Sequence, residues 1–411
     1  MKVFKFGGAS VKDEVGIRNL RQIIEGDDNE LVVVISAIGK TTNALEQVVA
    51  AIYDGDKHLA QSRLEAIRDS HIEIAKQLGL NESPITGILP DTDVSAYVNI
   101  FDYDKLYDQV VSLGELLSTS LIAAYLQSEG VDARWLDMTH ILLTNRCFRE
   151  AQPEIAHSAT HLKEALCKEH HRINIVQGFI GGTADGLRTT LGREGSDYTA
   201  ALVANFIDAE SVTIWKDVPG ILNADPRRVE HTTLIPELSY IEAVELAYSG
   251  AQVIHPKTIR PLENKRIPLY VKPFGDPTAA GSVIYDTDKK IDVPVYIWRD
   301  NQTLITMRAK DFSFVLEESL SHIFDIIHRN RLKVSMIQSS AITISVSVDT
   351  SRYIDEALKE LGADYRVTYN GGLSLLTIRG TTPEILASEQ KNRTILLSQK
   401  TRRTARLLIK N

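Results

Sequence analysis

The sequence is poor in cysteine: Cys147 and Cys167 are the only two in 411 residues. They show neither metal-ligand spacing nor a redox pairing, which leaves no disulfide framework and no zinc site. Two reduced thiols of a cytoplasmic protein are expected instead. No run approaches the apolar length needed to span a bilayer, and Met1-Lys2-Val3-Phe4-Lys5-Phe6 is not followed by an apolar core of signal-peptide length. A cytoplasmic protein without a membrane partner is therefore expected. Positive charge is in the minority, with 46 Lys and Arg against 54 Asp and Glu and a net charge of −8. A surface of that sign gains no counterion release from nucleic acid or anionic lipid, so neither is expected as a partner. Any anionic ligand must meet a local cluster of cations.

What is present is an ordinary globular composition, 43% hydrophobic and 24% charged, in a chain long enough for two or three domains. Its first part alternates short apolar runs with helical patterns, the grammar of a mainly parallel sheet sandwiched by helices. Val3 to Phe6, Leu31 to Ile35, Ile173 to Val176 and Val212 to Trp215 read as buried strands, and Leu269 to Lys272 as the strand that closes the domain. Thr42 and Asn43 are good N-caps for a helix carrying Leu45, Val48, Val49 and Ile52. Tyr198 to Phe206 and Ile241 to Tyr248 also read as helices.

Turn residues and charge between Pro273 and Lys290 place a boundary near 285. Beyond it, Leu304 to Met307 reads as a strand, and Leu316, Leu320, Ile323, Phe324 and Ile327 form one helical stripe. Ile342 to Val348 alternates at strand period, and a second helix carries Ile354, Ala357, Leu358 and Leu361. Strands follow at Tyr365 to Tyr369, Leu373 to Ile378, Thr394 to Leu397 and Ala405 to Ile409. The order resembles a ferredoxin-like α+β module over 300–370 with a shortened second copy over 371–411.

Four glycine-bearing loops follow predicted strands, the position at which open parallel sheets bind ligands. In Lys5-Phe6-Gly7-Gly8-Ala9-Ser10, paired glycines let backbone N–H groups approach a phosphate beside a lysine, although a plain Gly-Gly turn fits equally. Ser36-Ala37-Ile38-Gly39-Lys40-Thr41-Thr42-Asn43 contains Gly-Lys-Thr, yet Val34 stands where a P-loop needs its first glycine. That loop serves either as an anion site at a helix N-terminus or as a simple cap. In Gly178-Phe179-Ile180-Gly181-Gly182, running on to Thr189-Thr190-Leu191-Gly192-Arg193-Glu194-Gly195-Ser196-Asp197, capping explains Ser196 and Asp197 but not an arginine so close to two glycines, which suits a carboxylate clamp. The fourth loop, Trp215-Lys216-Asp217-Val218-Pro219-Gly220-Ile221-Leu222-Asn223-Ala224-Asp225-Pro226-Arg227, either faces a nucleotide with its cations or is solvated.

These strings, together with Gly-Glu-Leu-Leu-Ser at 114–118 and Val-Ile-His-Pro at 253–256, resemble in order the aspartokinases of the amino acid kinase family, over essentially the whole chain. The resemblance implies an α/β amino acid kinase fold at 1–285 with C-terminal ACT-type regulatory domains, and exposed strand edges in the short tail invite a homodimer through those domains. It further implies transfer of the γ-phosphoryl group of ATP to the side-chain carboxylate of L-aspartate, with Mg²⁺ carried by ATP rather than by a protein metal site. By the same resemblance Lys5, Asp197 and Lys216 are catalytic, while Thr42, Asn43, Glu115, Arg193 and Ser196 bind aspartate. Phe6, Gly7, Gly8, Ser36, Asp217, Leu222, Asn223, Arg227 and Gln252 join Lys5 and Lys216 in binding the nucleotide.

The sequence also departs from the family pattern. Glu194 replaces a glycine of the Arg-Gly-Gly-Ser-Asp string. Gln252 stands where many bacterial members have lysine, with Lys216 as the replacement charge. Phe314-Val315-Leu316-Glu317-Glu318 and Ser340-Ala341 lack the residues that hold an inhibitory amino acid in relatives. A kinase with another acceptor and a catalytically silent amino-acid sensor remain compatible with the fold.

Overall fold

The computed structural model describes residues 1–251, 254–310 and 317–410, and the chain divides into two compact units. The first comprises Met1–Leu222, Leu234–Val244 and Gln252–Lys290. Its strands, in chain order, are β1 (Lys2–Phe6), β2 (Leu31–Ile35), β3 (Ala133–Leu136), β4 (Ile173–Gln177), the hairpin β5 (Ile180–Gly182) and β6 (Arg188–Thr190), β7 (Val212–Lys216), β8 (Glu237–Ser239), β9 (Leu269–Pro273) and β10 (Ser282–Tyr285). Eight of them form one sheet in the order β3-β4-β2-β1-β7-β9-β10-β8.

From β3 to β9 every pairing is parallel, and β10 runs antiparallel to β9. Fully buried runs such as Leu-Val-Val-Val-Ile of β2 occupy the centre, as expected of strands covered on both faces. After β1 the chain builds β2, β3 and β4 on one flank, then returns to place β7 on the other. That reversal opens a crevice at the carboxyl ends of β4, β2, β1 and β7, the usual ligand position in such sheets. The four glycine loops leave these same four strand ends.

Two helices meet almost end to end, Tyr103–Val111 and Leu113–Ser128. Together they are long and apolar enough to cross a membrane, which the sequence reading did not anticipate, but 89% of the apolar window is buried inside the protein. They pack against the helices Thr41–Tyr53 and Lys57–Gln77 and against β4, so their apolarity belongs to the core.

The second unit comprises Asn223–Thr233, Glu245–Ala251 and Ile291–Asn411. Its sheet has six strands, β11 (Val295–Ala309), β12 (Val334–Ser339), β13 (Thr343–Asp349), β14 (Tyr365–Arg379), β15 (Thr394–Lys400) and β16 (Thr404–Lys410), in the order β12-β13-β11-β14-β16-β15. The second halves of β11 and the first halves of β14 join β12 and β13 in the ferredoxin-like order, with the helices Glu317–Arg329 and Ile354–Asp364 on their apolar face. Val295–Arg299 of β11 pairs with Leu375–Arg379 of β14, whose other edge meets β16. The shortened copy thus takes its fourth strand from residues that precede the first module, and has one helix, Pro383–Gln390, that the sequence reading missed. Leu316, assigned to the helical stripe, lies outside the described residues.

Candidate active site

The glycine loops touch because their backbones permit it. The N–H of Gly39 donates to the Gly8 carbonyl at 3.0 Å, the N–H of Ser36 to that of Phe6 at 3.2 Å, and the N–H of Gly178 to that of Ile35 at 3.0 Å. A Cβ on Gly8 would lie 2.4 Å from the Ala37 carbonyl oxygen, and one on Gly178 would lie 2.5 Å from Cβ of Ser196. Only glycine allows these approaches.

At the centre stands Asp197, in the first turn of the helix Gly195–Phe206. Its Oδ1 lies 2.6 Å from Nζ of Lys5, and its Oδ2 lies 3.5 Å from Nζ of Lys216. Burial alone would raise this carboxyl, but the two ammonium groups outweigh it and hold Asp197 below the usual carboxylate range. One carboxylate therefore fixes two lysines from neighbouring strands with a net positive charge to spare. A Cβ on Gly7 would stand 3.6 Å from Nζ of Lys5, so glycine leaves the space beside that ammonium clear.

Glu194 occupies the turn before this helix in the left-handed region, at φ 54°. That conformation explains why a glycine suits the position, since a side chain there costs about 1 kcal/mol. Burial raises the Glu194 carboxyl, and Lys216, Asp197, Arg193 and Lys5 all act on it electrostatically. It thereby reports that the four groups share one locality. Arg193 is exposed and forms no salt bridge among the described residues.

Glu115 lies in the first turn of Leu113–Ser128 and is 2% exposed. Burial pushes its carboxyl up to about 8, against donation from its own N–H and that of Ala37. Its Oε2 is buried without a hydrogen-bond partner. Such an oxygen is costly unless a donor arrives. Ser118, one turn on, donates to the Ser36 carbonyl at 2.9 Å and so ties this helix to the second loop. The helix after that loop begins at Thr41 with Lys40 as its cap residue, so Thr42 and Asn43 lie in its first turn and do not cap it as expected. Thr42 is half-buried and Asn43 exposed, while Ser196 is buried.

Other anticipated residues are engaged elsewhere. The ring of Phe6 is fully buried, stacked on Trp215 and edge-on to Phe274, so it belongs to the core and leaves only its backbone to the loop. Asp217 is exposed and Leu222 half-buried at the end of the first unit. Asn223 and Arg227 belong to the second unit, and their side chains are used there. Asn223 accepts from the Thr233 N–H at 2.7 Å and donates to the Pro294 carbonyl at 3.0 Å, while Arg227 grips Asp225 at 2.7 Å. Gln252 lies outside the described residues. Sequence reasoning missed the residues that hold the third loop, the buried Asp108 and Gln109 and the half-buried Arg149, whose partners are remote in sequence.

Residues 1–273 match the model of the amino acid kinase family. The lysine-sensitive aspartokinase 3 of Escherichia coli is 34% identical over 394 residues, covering 92% of this chain and 86% of the relative. An aspartokinase of Chlamydia muridarum is 32% identical, covering 92% of this chain and 85% of the relative. Among solved structures, E. coli aspartokinase III in complex with aspartate and ADP superimposes with a TM-score of 0.85 at 30% identity, over 100% of this chain and 96% of that one. The same enzyme with lysine and aspartate gives 0.77 at 31% identity, over 99% and 95%.

Proposed function

Since this chain belongs to the amino acid kinase family, we infer that it is an aspartate kinase, moving the γ-phosphoryl group of ATP to the side-chain carboxylate of L-aspartate. The observation that carries the reading is the Lys5–Asp197–Lys216 bridge at the mouth of the crevice. The acceptor carboxylate, with an ordinary pKa of about 3.9, is already ionised at neutral pH, so no general base is needed. The obstacle is repulsion between two anions.

The chain's own groups answer it by position and charge. Lys5 and Lys216 face the transferring phosphoryl oxygens, with Asp197 holding both ammonium groups in place. Gly7, Gly8 and Ser36 line the phosphate path. Arg193 takes the α-carboxylate of aspartate, Glu115 its ammonium group, and Thr42, Asn43 and Ser196 complete the pocket. A carboxylate oxygen attacks the γ-phosphorus as the bond to the β–γ bridging oxygen breaks. That oxygen keeps the electron pair, giving ADP and 4-phospho-L-aspartate, the product that opens the route to lysine, threonine and methionine.

No group of three or more His, Cys, Asp or Glu among the described residues is arranged to hold a metal, and Asp197 is already taken by two lysines. Mg²⁺ carried by the nucleotide would supply neutralising charge on the triphosphate. We place catalysis in 1–285 and read 300–370 and 371–411 as the ACT-like regulatory parts, in a cytoplasmic homodimer. The edge strands β12 and β15 favour pairing with a second copy, and a monomeric mass by light scattering would count against that pairing. Hydroxamate trapping with ATP, Mg²⁺ and a panel of acidic amino acids tests the activity. Acyl phosphate should form with aspartate, and formation with another acceptor alone, or with none, refutes the reading.

A further inference from the structure

The loop bearing Arg193 and Asp197 is anchored by a carboxylate outside the site. Asp108 is fully buried near the end of the helix Tyr103–Val111 and accepts three hydrogen bonds. Its Oδ2 receives the N–H of Thr190 at 2.9 Å and that of Arg149 at 3.0 Å, and its Oδ1 receives the Thr190 hydroxyl at 2.7 Å. Gln109, the next residue, takes the adjoining stretch of β6. Its amide donates to the Arg188 carbonyl at 2.7 Å and accepts from the Arg188 N–H at 3.3 Å. Two consecutive helical residues are thus stitched to the strand that ends at Thr190, two residues before the turn at Gly192 that leads into Arg193.

Arg149 holds the turn from the other side. Its backbone is left-handed, at φ 68°, with its N–H committed to Asp108. Its guanidinium lies 4.5 Å from the centre of the Tyr107 ring and 3.3 Å from Asp104. The Arg149 carbonyl oxygen stands 3.0 Å from where a Cβ on Gly192 would sit, and Gly192 is itself left-handed at φ 78°. The Ala151 N–H donates to the Thr190 carbonyl at 3.0 Å. Gly192, immediately before Arg193, is therefore confined between residues that Asp108 fixes on both sides. Burial pushes the Asp108 carboxyl up to about 6 despite these donors, so an acid is kept here although its charge is costly to bury.

We propose that Asp108 is a positioning residue for the kinase reaction: through Thr190 and Arg149 it fixes the turn at Gly192 and thus the direction in which Arg193 meets the α-carboxylate of aspartate. The inference rests on the assignment of Arg193 to that carboxylate. Asn can keep the same pattern, with its oxygen accepting the two N–H groups and its amide donating to the Thr190 hydroxyl, which then accepts. Ala cannot.

The test is steady-state kinetics on the full-length chain for Asp108→Ala, Asp108→Asn, Arg193→Ala and the double variant Asp108→Ala/Arg193→Ala. Asp108→Ala should raise the aspartate KM about tenfold or more, as misplacement of a substrate-binding group does, with the ATP KM within about twofold of the parent. Asp108→Asn should restore the aspartate KM to within about threefold of the parent. Adding Asp108→Ala to Arg193→Ala should change the aspartate KM little, because the two act through one contact. If Asp108→Ala does not fold, Thr190→Val, which removes the hydroxyl bond alone, should still raise the aspartate KM selectively. Equal changes in both KM values, no rescue by Asn, or full additivity with Arg193→Ala overturns the inference and leaves the site intact. An unchanged aspartate KM in Arg193→Ala overturns the site assignment, and this inference with it.

Discussion

Glu115 makes the assigned aspartate site sensitive to pH in a direction that can be worked out. Its carboxyl sits at about 8 because it is buried, and its Oε2 lacks a donor. In the proposed assignment the substrate ammonium pairs with the ionised form, so below that value binding must expel a proton. At pH 6 about one molecule in a hundred carries the ionised group, and at pH 8 about half do. The aspartate KM should accordingly fall about fiftyfold in all between pH 6 and 8, most steeply at the acid end, and level off above 8. Glu115→Gln cannot ionise. It should leave a KM that is flat with pH and about 10- to 100-fold above the parent at pH 8, the loss of one charge-assisted hydrogen bond. Initial rates of ADP release at saturating MgATP, with aspartate varied at each pH, measure both curves. A parent KM that does not change between pH 6 and 8, or the same slope in Glu115→Gln, would refute the reasoning.

Replacing Asp197 by Asn leaves Lys5 and Lys216 without their shared counter-charge. The expected loss at pH 7 is about 3–5 kcal/mol of stability, read by chemical denaturation, together with most of the activity. Because the Asp197 carboxyl is held below its ordinary value of 3.8, its stabilising contribution is complete above that pH and lost as pH falls further. The difference between parent and variant should therefore persist at pH 5. Lys216→Met should lower turnover and weaken ATP, and unchanged values of both would remove Lys216 from the machinery. Gly8→Ala would drive a Cβ to 2.4 Å from the Ala37 carbonyl oxygen. It should cost about 1–3 kcal/mol and raise the ATP KM, since the first two loops must part; a variant with parental melting temperature and KM would refute the close approach.

The four loops were legible because each follows a buried apolar run and breaks it with glycine, a local signal. Their meeting was legible too, since parallel strands deliver their carboxyl ends to one edge. What holds the loops was not. Asp108 and Thr190 are 82 residues apart, and neither carries a local mark of its partner. Asn370-Gly371-Gly372 read as a break between two strands, but β14 runs through it, and the glycines serve a register irregularity opposite Gln302 and Leu304. Val334–Ser339 escaped notice because Ser and Gln dilute its apolar period. The short helix Pro383–Gln390 was missed although its start carries a local signal, the capping residue Thr382 followed by proline at the first helical position. The start of the helix after β2 was misplaced because Thr42 and Asn43 are good caps by type, whereas Thr41 already lies within it.

The two 15-residue strands β11 and β14 are shared rails beneath both halves of the C-terminal sheet. Severing the chain within 300–370 would strip a rail from each half at once, so neither could be shed or expressed alone as a whole plate. A molecule that wedges one half apart must bend a rail whose far end lies in the other, and the irregular stretch between Arg299 and Leu304, where the two halves meet, is the place for that bend.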